Sequence, residues 1–443
     1  MNRALTRKSG QMQCTKADDP NKAATGLGAD FAIICLTIAY LLVWSWLEQW
    51  GFGVIPLQGL LAILYIFRSL QLLARIVVPR RLMLGTILVA LFMAIDLLVC
   101  GTGDYLVSNL IQIAYGFSAL LYFCCLFAIK REPLLAFLEN SRWYLNVFMV
   151  VNMIIMFLQL GGTYFLINRA NLANTFYPDL VAGLFGQNGT HRLTLFYAFN
   201  LVLNLRAVSM AHNTDRAFSK AYVAITIIGY SYLSTQNDNI MFFAIIAMVT
   251  VLFFLKSERL SLSLGVAILV AILLLPALAN LILSSELFTA FTNRFNYILS
   301  SYTFSGNQNA QYGENRIRII RILISDWNGL LLGSGLGGLS FYNDPRIDPL
   351  HYGMCSIHSL IGMGGIIFYA ITIAYYTSCL ATTFGDKSNR KTVIECLALL
   401  LVVSYYTILF SRIYNLIPVL LILFMLNVES RQKWNTPNSS VLA

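Results

Sequence analysis

The chain has 443 residues, of which 58% are hydrophobic and 11% charged, and a formal net charge of +10. This composition excludes an ordinary soluble enzyme and is typical of a polytopic membrane protein. The positive charge follows the loops between apolar segments, so it indicates membrane topology and gives no support for nucleic-acid binding. We therefore predict an all-α fold, with residues 1–443 forming a single transmembrane domain.

Apolar segments of about 17–25 residues, the length that crosses a bilayer, recur from Phe31 to Val428. The helices near 220–235 and 413–428 are the shortest of them. The segments predict twelve transmembrane helices, near 31–48, 53–74, 82–101, 105–129, 143–168, 194–212, 220–235, 239–256, 261–283, 356–383, 392–411 and 413–428.

Basic residues alternate between the two sides of these helices. The two tails and every second loop carry 20 Lys and Arg residues, so the positive-inside rule makes both termini cytoplasmic. Arg68 and Arg206 lie inside helices near their cytoplasmic ends, where they can snorkel to the interface. The opposite side has only arginines: Arg169, Arg192, Arg294, Arg316, Arg318, Arg321, Arg346 and Arg412.

Two outer loops are long, at 169–193 and 284–355, and the second contains an amphipathic helix near 314–327. Its polar stripe and its apolar side follow a helical period. Arg316 is the exception, because it projects from the apolar side. Either the arginines contact lipid headgroups as an interfacial helix does, or the helix covers a cavity into which they point. The polar stripe is Glu314, Arg318, Arg321 and Ser325, and the apolar side is Ile320, Leu323, Ile324 and Trp327.

A glycine-rich turn follows this helix, with glycines at Gly333, Gly335 and Gly337. Glycine lets the backbone approach a ligand closely, although a plain flexible turn has the same composition. The turn does not follow a strand in a βαβ unit, so a dinucleotide-binding fingerprint is excluded.

His358 opens the tenth predicted helix at its outer end. The helix N-terminus favours anions and opposes protonation of the imidazole, which leaves His358 able to accept a proton. This position predicts access both to the aqueous loop and to a lipid headgroup; the alternative is a hydrogen-bonding cap. Gly362 and Gly365 form a small-residue face on which another helix can pack.

Three stretches resemble the O-antigen polymerase and ligase superfamily of bacterial surface-polysaccharide assembly. They are GLFGQNGTHR at 183–192, GENRIRIIRILISDWNGLLLGSGLGG at 313–338 and HSLIGMGG at 358–365. The chain departs from the family pattern at Asp238, where an arginine is usual, and at Ser359, where an asparagine is usual. The resemblance implies a GT-C-like fold in the bacterial inner membrane, with the amphipathic helix in a large extracytoplasmic loop.

The resemblance also implies an enzyme that polymerises lipid-linked polysaccharide repeat units. Glycan would pass from undecaprenyl pyrophosphate to a sugar hydroxyl of another lipid-linked chain, with His358 as the catalytic residue. The expected partners are this lipid-linked oligosaccharide, membrane lipid and a chain-length regulator. No cofactor or metal is expected, because arginines can neutralise the pyrophosphate and the cysteines show no metal-binding spacing. The pyrophosphate-binding residues would be Arg192, Arg316, Arg318, Arg321 and Arg412.

Two alternatives remain at this point. A ligase that transfers finished glycan to the lipid A core shares the donor chemistry and differs only in its acceptor. A twelve-helix transporter or flippase would carry ionisable or helix-breaking residues near the bilayer midplane, and here such residues are sparse.

Overall fold

The computed structural model is all-α over the residues that it describes. The predicted helix near 261–283 lies outside these residues, and the one near 82–101 is described only at a few positions, all helical. The described residues are 27–44, 55–74, 84–85, 87–88, 91–92, 95, 106–129, 132–161, 181–186, 189–210, 213–237, 239–256, 311–325, 327–333, 346, 355–384, 390–407, 409, 415–423 and 425–426.

The described residues include eleven α-helices that are labelled α1 to α11 in chain order. A π-helical turn, Tyr40–Trp44, continues α1, and a 3₁₀ turn, Gly183–Phe185, precedes α5. Residues 415–423 and 425–426 are helical as well. The helices are α1 (Leu27–Ala39), α2 (Ile55–Leu73), α3 (Leu106–Ile129), α4 (Glu132–Leu160), α5 (Thr190–Met210), α6 (Asn213–Gln236), α7 (Ile240–Lys256), α8 (Gln311–Ser325), α9 (Trp327–Leu332), α10 (Ser356–Phe384) and α11 (Arg390–Tyr406).

Three predicted boundaries are wrong. Helix α4 begins at Glu132, far before the predicted 143, because Pro133 suits the first turn of a helix and Arg142, which packs on Trp143, is accommodated within it. Helix α5 begins at Thr190, so the outer loop predicted at 169–193 ends earlier. Helix α6 has 24 residues and is not the shortest.

Among the described residues, two helical stretches are long and apolar enough to cross a membrane, Leu134–Leu160 and Ser356–Ser378. The distribution of side chains agrees with a lipid-facing exterior. Large hydrophobic side chains point outward, including Ile63 (65% exposed) and Tyr144 (80% exposed). In contrast, α5 is buried along its whole length from Arg192 to Ser209, and it contains several polar residues.

Polar side chains bind one another inside the bundle. Asn146 of α4 accepts hydrogen bonds from Asn200 Nδ2 (2.9 Å) and Asn204 Nδ2 (2.8 Å) of α5. Tyr222 of α6 donates to Asn200 Oδ1 at 2.8 Å. Such amide contacts hold helices together where no water can satisfy the groups. They make α5 the central helix to which α4 and α6 are attached.

Two ion pairs join neighbouring helices, one of them buried and the other with a part-exposed carboxylate. The Arg68 guanidinium binds both carboxylate oxygens of Asp30, at 2.8 and 2.7 Å, and Arg206 binds Glu139 at 2.5 Å. Each arginine has a carboxylate partner on a neighbouring helix, and its snorkelling to the interface stays a prediction. A buried charge needs such a partner.

Candidate functional site at the start of helix α10

Helix α10 begins at a serine that binds the segment after α11. Ser356 Oγ donates to the Thr407 carbonyl at 3.0 Å, and the Leu409 N–H donates to Ser356 Oγ. The Ser356 N–H also donates to the Thr407 carbonyl, at 3.2 Å. These bonds fix the position of the first turn of α10, in which His358 lies.

His358 is fully buried, with Nδ1 3.5 Å from the Sγ atom of Cys355. Cys355 is also fully buried. The contact orients the imidazole ring, because a thiol can donate to or accept from a ring nitrogen according to the tautomer. The prediction that His358 faces the aqueous loop is wrong for this structure, since the ring is enclosed.

Helix α10 breaks at Gly365, whose φ of 69° and ψ of −176° suit only glycine. The end of α9 packs directly on this break. A Cβ added to Gly365 would lie 2.0 Å from the Leu331 carbonyl oxygen, and one added to Gly333 would lie 2.4 Å from that of Met363. The two glycine motifs thus meet backbone to backbone. The expectation that Gly365 allows close packing is confirmed, with α9 as the partner.

Helix α8 packs against α9 and α10. Arg318 and Arg321 are exposed, as the predicted polar stripe requires, whereas Ile319 is fully buried. Ile324, predicted on the apolar side, is 57% exposed. The side of α8 that packs against α9 and α10 is therefore rotated from the predicted apolar side toward Ile319. Arg316 is helical.

Of the remaining predicted site residues, the structure describes Arg192. Arg192 is buried near the start of α5. Arg412, Gly335 and Gly337 lie outside the described residues. Within the described part of the chain, no three His, Cys, Asp or Glu side chains converge as a metal site requires.

Sequence reasoning missed the side chains that hold the segment before α5. Asn152 Oδ1 accepts from the Leu184 N–H at 2.7 Å, and Gln159 Oε1 accepts from the Gly183 N–H at 2.9 Å. The segment is buried although it is not α-helical. Such backbone is tolerated at depth only where protein groups satisfy it. In the sequence, the amides of Asn152 and Gln159 within the apolar run of α4 could have indicated such a contact.

Comparison of the chain with protein-family models, with curated proteins and with solved structures finds no match.

Proposed function

We propose that this protein is a membrane glycosyltransferase that polymerises lipid-linked polysaccharide repeat units. The observation that carries the proposal is the contact between Gly333 and the break at Gly365. Through that contact, the helix bearing Arg318 and Arg321 is attached to the helix bearing His358. The proposed proton acceptor and the proposed phosphate-binding arginines, separate in the sequence, thereby lie on helices that are joined by this contact.

In the proposed reaction, His358 takes the proton from a sugar hydroxyl of the acceptor chain. The hydroxyl oxygen forms a bond to the anomeric carbon of the donor, and the bond from that carbon to the pyrophosphate oxygen breaks. Undecaprenyl pyrophosphate leaves with the electron pair. Cys355 orients the imidazole of His358 through their 3.5 Å contact. Because His358 is enclosed, neighbouring segments must separate when substrate binds.

The arginines stabilise the departing charge. Guanidinium groups bind phosphate oxygens in a planar fork and stay protonated, so they need no metal ion to neutralise a pyrophosphate. Arg318 and Arg321 have the exposure needed to reach a lipid headgroup. Arg192, Arg316 and Arg412 complete the proposed set.

The proposal includes a membrane arrangement. About twelve helices cross the bacterial inner membrane in a GT-C-like fold, both termini are cytoplasmic, and the loops near 169–193 and 284–355 face outward. Supporting it are the two spanning-length stretches and the exposed apolar side chains of the outer helices.

The glycan profile of cells that lack the protein tests the function. A polymerase deletion leaves single repeat units attached to lipid A. Loss of all attached glycan would instead assign the protein as the ligase, and an unchanged profile would favour the transporter.

A further inference from the structure

The last turn of α6 and the residues that lead into α7 hold three buried polar side chains that take no part in the proposed polymerase reaction. Ser234, Asn237 and Asn239 are all more than nine-tenths buried. They lie within one turn of chain, which the Asn239 N–H closes by donating to the Ser234 carbonyl at 2.9 Å.

The orientation of both carboxamides is fixed by their nitrogen atoms. Asn237 Nδ2 donates to the Val181 carbonyl at 2.8 Å, and Asn239 Nδ2 donates to the Thr190 carbonyl at 3.1 Å. A carbonyl can only accept, so the nitrogen and oxygen positions follow from these contacts. Each Oδ1 atom must then point away from its neighbouring helix or segment.

These oxygens have no donor. Among the residues that the structure describes, Asn237 Oδ1, Asn239 Oδ1 and Ser234 Oγ have no hydrogen-bond partner. Asn239 precedes α7, where an asparagine oxygen usually caps the first N–H groups of the helix; here it does not. Buried acceptors without donors cost free energy, so three in one turn indicate a ligand that supplies the donors.

We propose that Ser234, Asn237 and Asn239 bind the hydroxyl groups of a sugar. The three groups are neutral, and the Oδ1 atoms of Asn237 and Asn239 can only accept hydrogen bonds, which disfavours an anion as the ligand. Ser234, Asn237 and Asn239 supply no carboxylate, the ligand that divalent-cation sites in proteins usually include. A sugar supplies several neutral donors at close spacing. That the sugar is carried by the lipid-linked substrate rests on the proposed function; the site itself does not.

The test compares two serine variants of the full-length protein in lipid nanodiscs. Ser234→Ala removes a hydroxyl of the proposed site. Ser219→Ala is the matched control, because Ser219 lies on the same helix and its buried Oγ also has no partner among the described residues. Both should fold with unchanged Tm, since neither loses a described side-chain hydrogen bond. The probes are glucose, galactose, mannose and N-acetylglucosamine, and the measurement is the rise in Tm on titration.

At least one sugar should raise the Tm of the wild type and of Ser219→Ala equally. Ser234→Ala should bind it about 3- to 10-fold more weakly, the effect of losing one hydrogen bond. Equal affinity in the two variants, or no shift with any sugar, would mean that the oxygens hold a structural water only, and would overturn the proposal. The measurement of sugar binding needs no turnover, so it tests this site independently of the proposed polymerase function. An unaltered glycan profile in cells that lack the protein would contradict the polymerase function but not the sugar site.

Discussion

His358 and Cys355 form the smallest unit of the proposed mechanism, an imidazole held by a thiol in the first turn of α10. If His358 is the base, His358→Ala and His358→Gln should each lower the polymerisation rate by about 100- to 10,000-fold. Glutamine keeps a hydrogen-bonding group but cannot take the proton. Rates are measured on purified protein whose Tm confirms folding. The control is His212→Gln, because His212 lies on the predicted cytoplasmic side, away from the proposed site. Normal polymerisation by His358→Gln would leave His358 as an orienting residue.

Arg318 and Arg321 lie one turn apart and are exposed, so removing them should not disturb folding. The double variant to alanine should lower the rate by roughly 100- to 1000-fold, as loss of a charge-stabilising donor does. Lysine at both positions should restore only part of the rate, because the planar fork is lost.

Arg346 provides the matched control for this pair, because it is an exposed arginine within the same predicted loop. Arg346→Ala should leave the rate near that of the wild type. Full activity in the variant with alanine at both Arg318 and Arg321 would mean that the two arginines only contact the lipid surface.

The contact of α9 with the break in α10 leaves no room for a side chain at Gly365. Gly365→Ala would place a methyl group against the Leu331 carbonyl and force a φ of 69° on alanine. We expect a loss of about 2 kcal/mol or more in the free energy of unfolding, with a fall in activity as α9 separates from α10. Gly28→Ala is the control, since nothing lies within 4 Å of its added Cβ and alanine favours a helix. Equal stability of the two variants would contradict the contact.

The sequence allowed most of the described helices to be predicted, because continuous apolar segments set both their positions and their lengths. The start of α4 was missed because Glu132 to Arg142 is polar enough to read as a loop, and only Pro133 marked the true start. For the site, His358 and the glycine motifs were predicted, but the contact of Gly333 with Met363 was not. Contacts between distant segments depend on packing that periodicity does not encode.

The buried polar residues show the same limit. Asn200 and Asn204 are four residues apart, which places them on one face of α5. That spacing could have predicted a polar helix–helix contact, but not Asn146 as the partner. Likewise Arg68 and Arg206 could be recognised as buried charges only once Asp30 and Glu139 were placed beside them.

For the whole molecule, the alternation of basic residues predicts which loops are exposed to the outside. A single cysteine introduced near residue 310 should react with a membrane-impermeant maleimide in intact cells. One introduced into either tail should react only after lysis. The reverse pattern would place His358 and the arginine helix on the cytoplasmic side, where the proposed chemistry has no substrate.

Reconstitution in liposomes tests most directly whether the protein polymerises lipid-linked repeat units. Purified full-length protein in liposomes is given undecaprenyl-pyrophosphate-linked repeat units from the same cells, and the products are resolved by gel electrophoresis. The proposed polymerase function predicts a ladder of polymers that lengthens with time, free undecaprenyl pyrophosphate in proportion to the linkages formed, and neither product with His358→Gln. Folded wild-type protein that leaves every repeat unit as a monomer would contradict it.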